Sequence, residues 1–150
     1  MTDFKQYCTL KVGDLVLGIE VGEIQEIRRD TSITPVPLSP TDIRGLINLR
    51  GQIVTAIDLR RRLGLDDADE NAGFMTMVLG TVEEPLALVA DTVGDVVEVS
   101  VGEFESPPDT LKGEARNMIE GAYKLDRELL LVLNLPVVLE LRESDGESAE

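Results

Sequence analysis

Two pairs of segments in this chain recur in the same order, and that repetition constrains the fold more than any other feature of the sequence. Residues 4–19, FKQYCTLKVGDLVLGI, alternate apolar and polar positions on either side of Gly13-Asp14, the pattern of a β-hairpin. Residues 74–90, FMTMVLGTVEEPLALVA, repeat the pattern. Each hairpin is followed by a related string, VGEIQEI from Val21 and VGDVVEV from Val93, an offset of 72 residues. The second pair is GLINLRGQIVTAIDLRRRL (45–63) and GAYKLDRELLLVLNLPVVL (121–139), offset by 76 residues. Four extra residues in the intervening loop reconcile the two offsets.

The reading that follows is an all-β chain of two similar halves, about 1–65 and 74–142, with about five short strands in each. Val21, Ile24 and Ile27 recur every third residue, which predicts helix over 21–28. Further short helices are expected at 59–64 and 136–142. Pro35, Pro37 and Pro40 mark a loop in the first half, and Pro107-Pro108 mark its counterpart. Both faces of the strand at 53–59 are apolar: Ile53, Ile57 and Leu59 on one, Val54 and Ala56 on the other. The run from Leu129 to Leu133 has the same character. Such strands need cover on both sides. One face fills its own barrel and the other packs against the other half, so 1–142 reads as one folding unit around a shared core. Residues 143–150, ESDGESAE, read as an acidic disordered tail.

Apolar residues make up 43% of the chain and aromatics only 3%, so the core is built from Val, Leu and Ile. Net charge is −15, which disfavours nucleic acid and anionic membrane as partners. No apolar run is long enough to cross a bilayer and the first residues do not read as a signal peptide, so no direct membrane insertion is expected. A single cysteine, Cys8, rules out an internal disulfide, and it alternates with Leu10 and Val12 as a buried strand residue. These features together fit the cytoplasm.

Histidine is absent, so there is no Ser-His-Asp or Cys-His arrangement and no imidazole metal ligand. Asp67, Asp69 and Asn71 begin like a calcium loop, but Ala72 and Val78 stand where glycine and glutamate are needed. No catalytic residue, cofactor or metal site is expected, and the chain reads as a non-enzyme.

The charge is unevenly spread. Residues 28–62 hold seven of the 14 basic residues and three of the 29 acidic ones, a local balance of +4 against −19 for the rest. Arginine at this density, with no aromatic residue for base stacking, points to a protein interface. Arg50 is the sharpest candidate, at a turn between two apolar strands with Gly51 beside it. Arg60, Arg61 and Arg62 read equally well as a solvated helix face or as part of that interface.

The stretches GIEVGEIQEIR, DIRGLINLRGQIVTAIDLRRRLGL and LALVADTVGDVVEV resemble the CheW family of chemotaxis coupling proteins. The resemblance runs from about Leu10 to Leu141. One departure is that the family usually carries proline where Thr55-Ala56 stands. The resemblance implies two five-stranded SH3-like β-barrels around a common core, with short helices. It implies a non-enzymatic adaptor that couples methyl-accepting chemoreceptor cytoplasmic tips to the CheA-type histidine kinase, associated with receptor arrays through those partners. By the same resemblance, receptor binding falls on Arg50 and Asn48 of the turn and on Ile24 and Glu26. Kinase binding falls on Gly45 with its neighbours Arg44 and Leu46. The alternatives are an adaptor of a sister chemosensory pathway, such as pilus motility or another output, and a small-ligand-binding β-barrel.

Overall fold

The computed structural model describes residues 3–69, 71–80 and 85–140. The first half contributes β1 (Phe4–Val12), β2 (Leu15–Glu20), β3 (Ile24–Arg29), β4 (Ile43–Leu49), β5 (Gln52–Asp58) and α1 (Leu59–Arg62). The second contributes β6 (Met75–Leu79), β7 (Leu86–Ala90), β8 (Thr92–Ser100), α2 (Gly113–Met118), β9 (Ile119–Lys124), β10 (Leu129–Leu133) and α3 (Leu135–Val138). Single 3₁₀ turns occupy Val21–Glu23 and Val101–Glu103. The five strands expected in each half are present. The acidic tail at 143–150 and the end of the helix expected at 136–142 lie outside the described residues.

Each sheet draws on both halves, which the repeat does not reveal. One sheet runs β8-β1-β2-β10-β9 and the other β3-β6-β7-β5-β4. Exchanging β1–β5 with β6–β10 turns one order into the other. The register obeys the same exchange. Ile24 faces Leu79 as Val93 faces Leu10, an offset of 69 residues, and both ladders slip next to that pair. Gly45 faces Ala56 as Gly121 faces Val132, an offset of 76. The 76-residue alignment therefore holds in three dimensions. The 72-residue alignment does not: it sets the 3₁₀ turn at Val21-Gly22 against strand residues Val93-Gly94, and the true register lies three residues away.

The helix expected over 21–28 is a 3₁₀ turn followed by a strand. The three-residue spacing of Val21, Ile24 and Ile27 is not a helical stripe. It spans a change of backbone and then a bulge between Ile24 and Glu26, which shifts the apolar phase by one residue. The short helix expected at 59–64 is α1, capped by the Asp58 carboxylate, which accepts the Arg61 amide at 3.3 Å. α2 was not anticipated.

The core divides as two-faced strands require. Ile47, Val54, Ala56, Val78, Ala87 and Val89 fill the inside of the β3–β4 sheet. Tyr7, Val16, Val99, Tyr123, Leu130 and Val132 fill the other. Between them lies a larger shared core that includes Cys8, Leu10, Leu17, Ile57, Leu59, Leu88, Leu131 and Leu133. Ile57 and Val54 thus fall on opposite faces of β5 as the sequence indicates. Ile53 departs from its face: it is 58% exposed, because β5 runs past the sheet's cover as it nears the β4–β5 turn. Among the described residues, no helix is long and apolar enough to cross a membrane.

Candidate functional site

The β4–β5 connection is a two-residue turn, since Leu49 pairs directly with Gln52. Its central residues, Arg50 and Gly51, both have positive φ, 50° and 88°. That left-handed pair matches the right-handed twist of a hairpin. Asn48 stabilises the turn from its own side chain, its Oδ1 accepting the Gly51 amide at 2.9 Å. Arg50 is exposed, with 66% of its side chain open to solvent, as expected of a residue at the tip.

The arginine is not free. β3 and β4 are the two edges of their sheet, yet the sheet curls far enough for Arg50 Nη2 to donate to Glu26 Oε1 at 2.5 Å. The other carboxylate oxygen, Oε2, accepts from Arg28 Nε at 2.6 Å. Glu26 therefore links two guanidinium groups across the seam between edge strands. Hydrogen bonds from Arg28 and Arg50, in that order, hold its carboxyl below the usual range. Sequence reasoning does not single out Arg28, because the spacing of Val21, Ile24 and Ile27 predicts helix there. In a strand, Glu26 and Arg28 two residues apart share a face, and that period was the available signal.

Of the four residues assigned to the receptor face, Arg50 and Glu26 touch each other. Asn48 stands one residue before the turn, exposed. Ile24 lies at the start of β3, half-buried against the shared core. The three residues assigned to the kinase face form no exposed cluster. Gly45 is buried at φ 152°, and a Cβ there would lie 2.3 Å from the Thr34 carbonyl oxygen. The loop crossing it is held by a bridge between Thr34 and Leu46. Arg44 reaches Asp58 at 3.3 Å and stacks over the Phe74 ring, 5.0 Å from its centre.

The arginines after β5 are internal ties rather than a docking face. Arg60 makes a two-pronged pair with Asp91 at 2.9 and 2.6 Å, lowering the Asp91 carboxyl below its ordinary range. Arg61 pairs with Asp67 at 3.0 Å. Arg62 is 4% exposed and donates to the carbonyls of Val137, Val138 and Glu140 as well as to Asp42. It caps α3 from α1, joining the two halves. These contacts overturn the solvated-face reading for the buried Arg62, while Arg60 and Arg61 stay partly exposed over their acidic partners.

The model of the CheW-like domain matches residues 6–143. The chain belongs to this family. A CheW-like relative, the chemotaxis protein CheW of Treponema pallidum, is 27% identical over 143 residues, covering 92% of this chain and 84% of that one. Protein FrzA of Myxococcus xanthus is 31% identical over 111 residues, covering 74% of this chain and 68% of its own. Among solved structures, the scaffolding protein TtCheW from Thermoanaerobacter tengcongensis superposes with a TM-score of 0.80 at 26% identity, covering 92% of this chain and 94% of that one. The CheW-like match takes in both pseudo-equivalent sheets and the Arg50 turn.

Proposed function

We propose that this CheW-like chain is a non-enzymatic adaptor of chemotaxis signalling, working in the cytoplasm. It bridges a CheA-type histidine kinase and the cytoplasmic tips of methyl-accepting chemoreceptors, with the Arg50 turn facing the receptor. The observation that carries this reading is an arginine held exposed at a rigid turn in a chain of net charge −15 whose other basic residues nearby are mostly tied down. Two pseudo-equivalent sheets with different side chains supply two non-equivalent faces, which an adaptor needs. The interiors of both sheets are occupied by side chains, which argues against a small-ligand barrel. Each contact of such an adaptor is modest, with dissociation constants on the order of micromolar. Multiplicity in an array converts weak contacts into a stable assembly.

The test is a three-way reconstitution of this chain, a CheA-type kinase and a receptor cytoplasmic fragment from the same cell. The reading requires that kinase and receptor fragment co-purify only when the chain is present. Co-purification without it, or binding of neither component, would contradict the proposal.

A further inference from the structure

Beside the Arg50–Glu26 pair, the seam between β3 and β4 opens into a cleft of about 540 Å³. Its walls carry Arg28, Arg29, Asp30, the hydroxyl residues Thr31, Ser32 and Thr34, Leu46 and Asn48, and the Asp30 carboxylate already accepts the Phe74 amide at 3.1 Å. Two features set it apart. Among the described residues, Arg29 is the one arginine of 28–62 that makes no ion pair, whereas Arg28, Arg44, Arg50, Arg60, Arg61 and Arg62 each have an acid partner. The Thr31 Oγ1 is shielded from solvent and has no hydrogen-bond partner. An unpaired guanidinium is what an incoming carboxylate requires, and a side-chain rotation that brings the unused Thr31 hydroxyl to the surface would add a second donor.

The pseudo-equivalent cleft in the other sheet gives an internal contrast. Val97 and Glu98 stand at the positions matching Arg28 and Arg29, and Lys124 stands at that of Asn48. The rest of that groove includes Glu103, Asp126 and Glu128, with Arg127 among them. The same backbone feature carries two arginines against one aspartate in one sheet and four acids against two basic residues in the other. An acidic partner approaching a chain of net charge −15 is repelled over most of the surface, and the exposed Arg50 turn and the unpaired Arg29 beside it offset that repulsion locally.

We infer that the β3–β4 cleft receives a carboxylate side chain of the acidic protein partner that meets Arg50, with Arg29 and Thr31 as its donors. The footprint of that partner then extends from the turn across the seam, and Arg29 sets which acidic partner is accepted. The inference rests on the assignment of the Arg50 turn to the receptor. A nucleic-acid phosphate is disfavoured by the overall charge and by the absence of aromatic residues between 28 and 62.

The experiment measures binding of the full chain to a chemoreceptor cytoplasmic fragment at low and moderate salt. The variants are Arg29→Ala, Thr31→Val, Arg50→Gly and Glu98→Ala, each with a melting curve. Arg29→Ala is expected to weaken binding about tenfold, the size of one charge-assisted hydrogen bond, and to flatten the salt dependence. Thr31→Val is expected to weaken it a few-fold without lowering the melting midpoint, because its hydroxyl has no internal partner to lose. Glu98→Ala is expected to leave binding unchanged. An Arg29→Glu variant should be rescued by a Glu→Arg change at one acidic position of the fragment, which a merely structural role would not allow. If Arg50→Gly weakens binding and Arg29→Ala does not, the cleft inference is overturned and the turn assignment stands. If Arg29→Ala weakens binding and Arg50→Gly does not, the turn assignment falls, and with it the inference that one partner spans both turn and cleft. If neither does, both fall. Arg29-dependent binding of a single-stranded oligonucleotide in place of the fragment would also overturn the inference.

Discussion

Arg50 combines an exposed charge with a backbone conformation that favours glycine or asparagine, and the two properties separate under mutation. Its left-handed φ of 50° costs a non-glycine residue roughly 1–2 kcal/mol. The pair with Glu26 is largely exposed on the arginine side, and solvent screening leaves such pairs contributing little to stability. Arg50→Gly is therefore expected to hold or slightly raise the melting midpoint while removing the proposed receptor contact; a drop of many degrees would make the arginine structural. Thr76 is a second residue with a clear sign. It is fully buried and its hydroxyl has no partner, so Thr76→Val, nearly the same in shape, is expected to stabilise by about 1 kcal/mol in urea titration. The carboxyls of Glu26, Asp67 and Asp91 all titrate below their ordinary values in the folded chain because arginine hydrogen bonds hold them ionised. Stability from a depressed carboxyl is present above its unfolded pKa, about 4, and is lost as pH falls through the folded value. Urea midpoints should accordingly fall below about pH 4. Asp91→Asn should begin less stable at pH 7 and lose less across that window; an unchanged acid limb would show that the Arg60 pair contributes nothing.

At the level of elements, two glycines set how a loop crosses each sheet. Gly45 and Gly121 occupy matched places, and the bridges beside them, Thr34–Leu46 and Glu105–Ala122, are matched on the strand side by the same 76 residues. A Cβ at Gly121 would lie 2.0 Å from Phe104 Cζ. Gly121→Ala is expected to cost about 1–3 kcal/mol by overpacking, and Phe104→Leu in the same chain should recover part of it in denaturant unfolding. Gly45→Ala has no such remedy, because its obstacle is the Thr34 backbone oxygen. Any effect of a Gly45 substitution on kinase binding would then act through the displaced crossing loop. Much of this level was legible in the chain: the alternation in β1 and β2, the two apolar faces of β5 and β10, the α1 turn, and the 76-residue repeat down to its register. β3 was not, because a bulge broke its alternation and left a three-residue spacing that mimics helix. The site was legible where one residue decides it, at Arg50, Gly51 and Asn48. It was illegible where tertiary contact decides it. No local pattern announces that Glu26 crosses the seam to Arg50, or that Arg60, Arg61 and Arg62 are bound to Asp91, Asp67 and the α3 carbonyls.

The whole molecule is two interleaved repeats, neither of which contains a complete sheet. The parallel pairs β2–β10 and β5–β7 form only when both halves are present. Arg62 ties the helix that ends one half to the helix that ends the other. Fragments 1–73 and 74–150 are expected to give no cooperative melting transition alone and to regain one on mixing; independent cooperative unfolding of either would contradict the interleaved core. The adaptor reading depends on this architecture, because the exchange relates the two sheets while their side chains make one cleft richer in arginine and the other richer in acids. The most direct test of that reading is receptor-dependent stimulation of a CheA-type kinase in a reconstituted mixture, comparing the wild-type chain with Arg50→Gly at equal folded concentration. The expected result is kinase binding at wild-type strength with stimulation lost. A folded Arg50→Gly chain that stimulates the kinase as fully as the wild type would contradict the claim that this turn is the receptor contact.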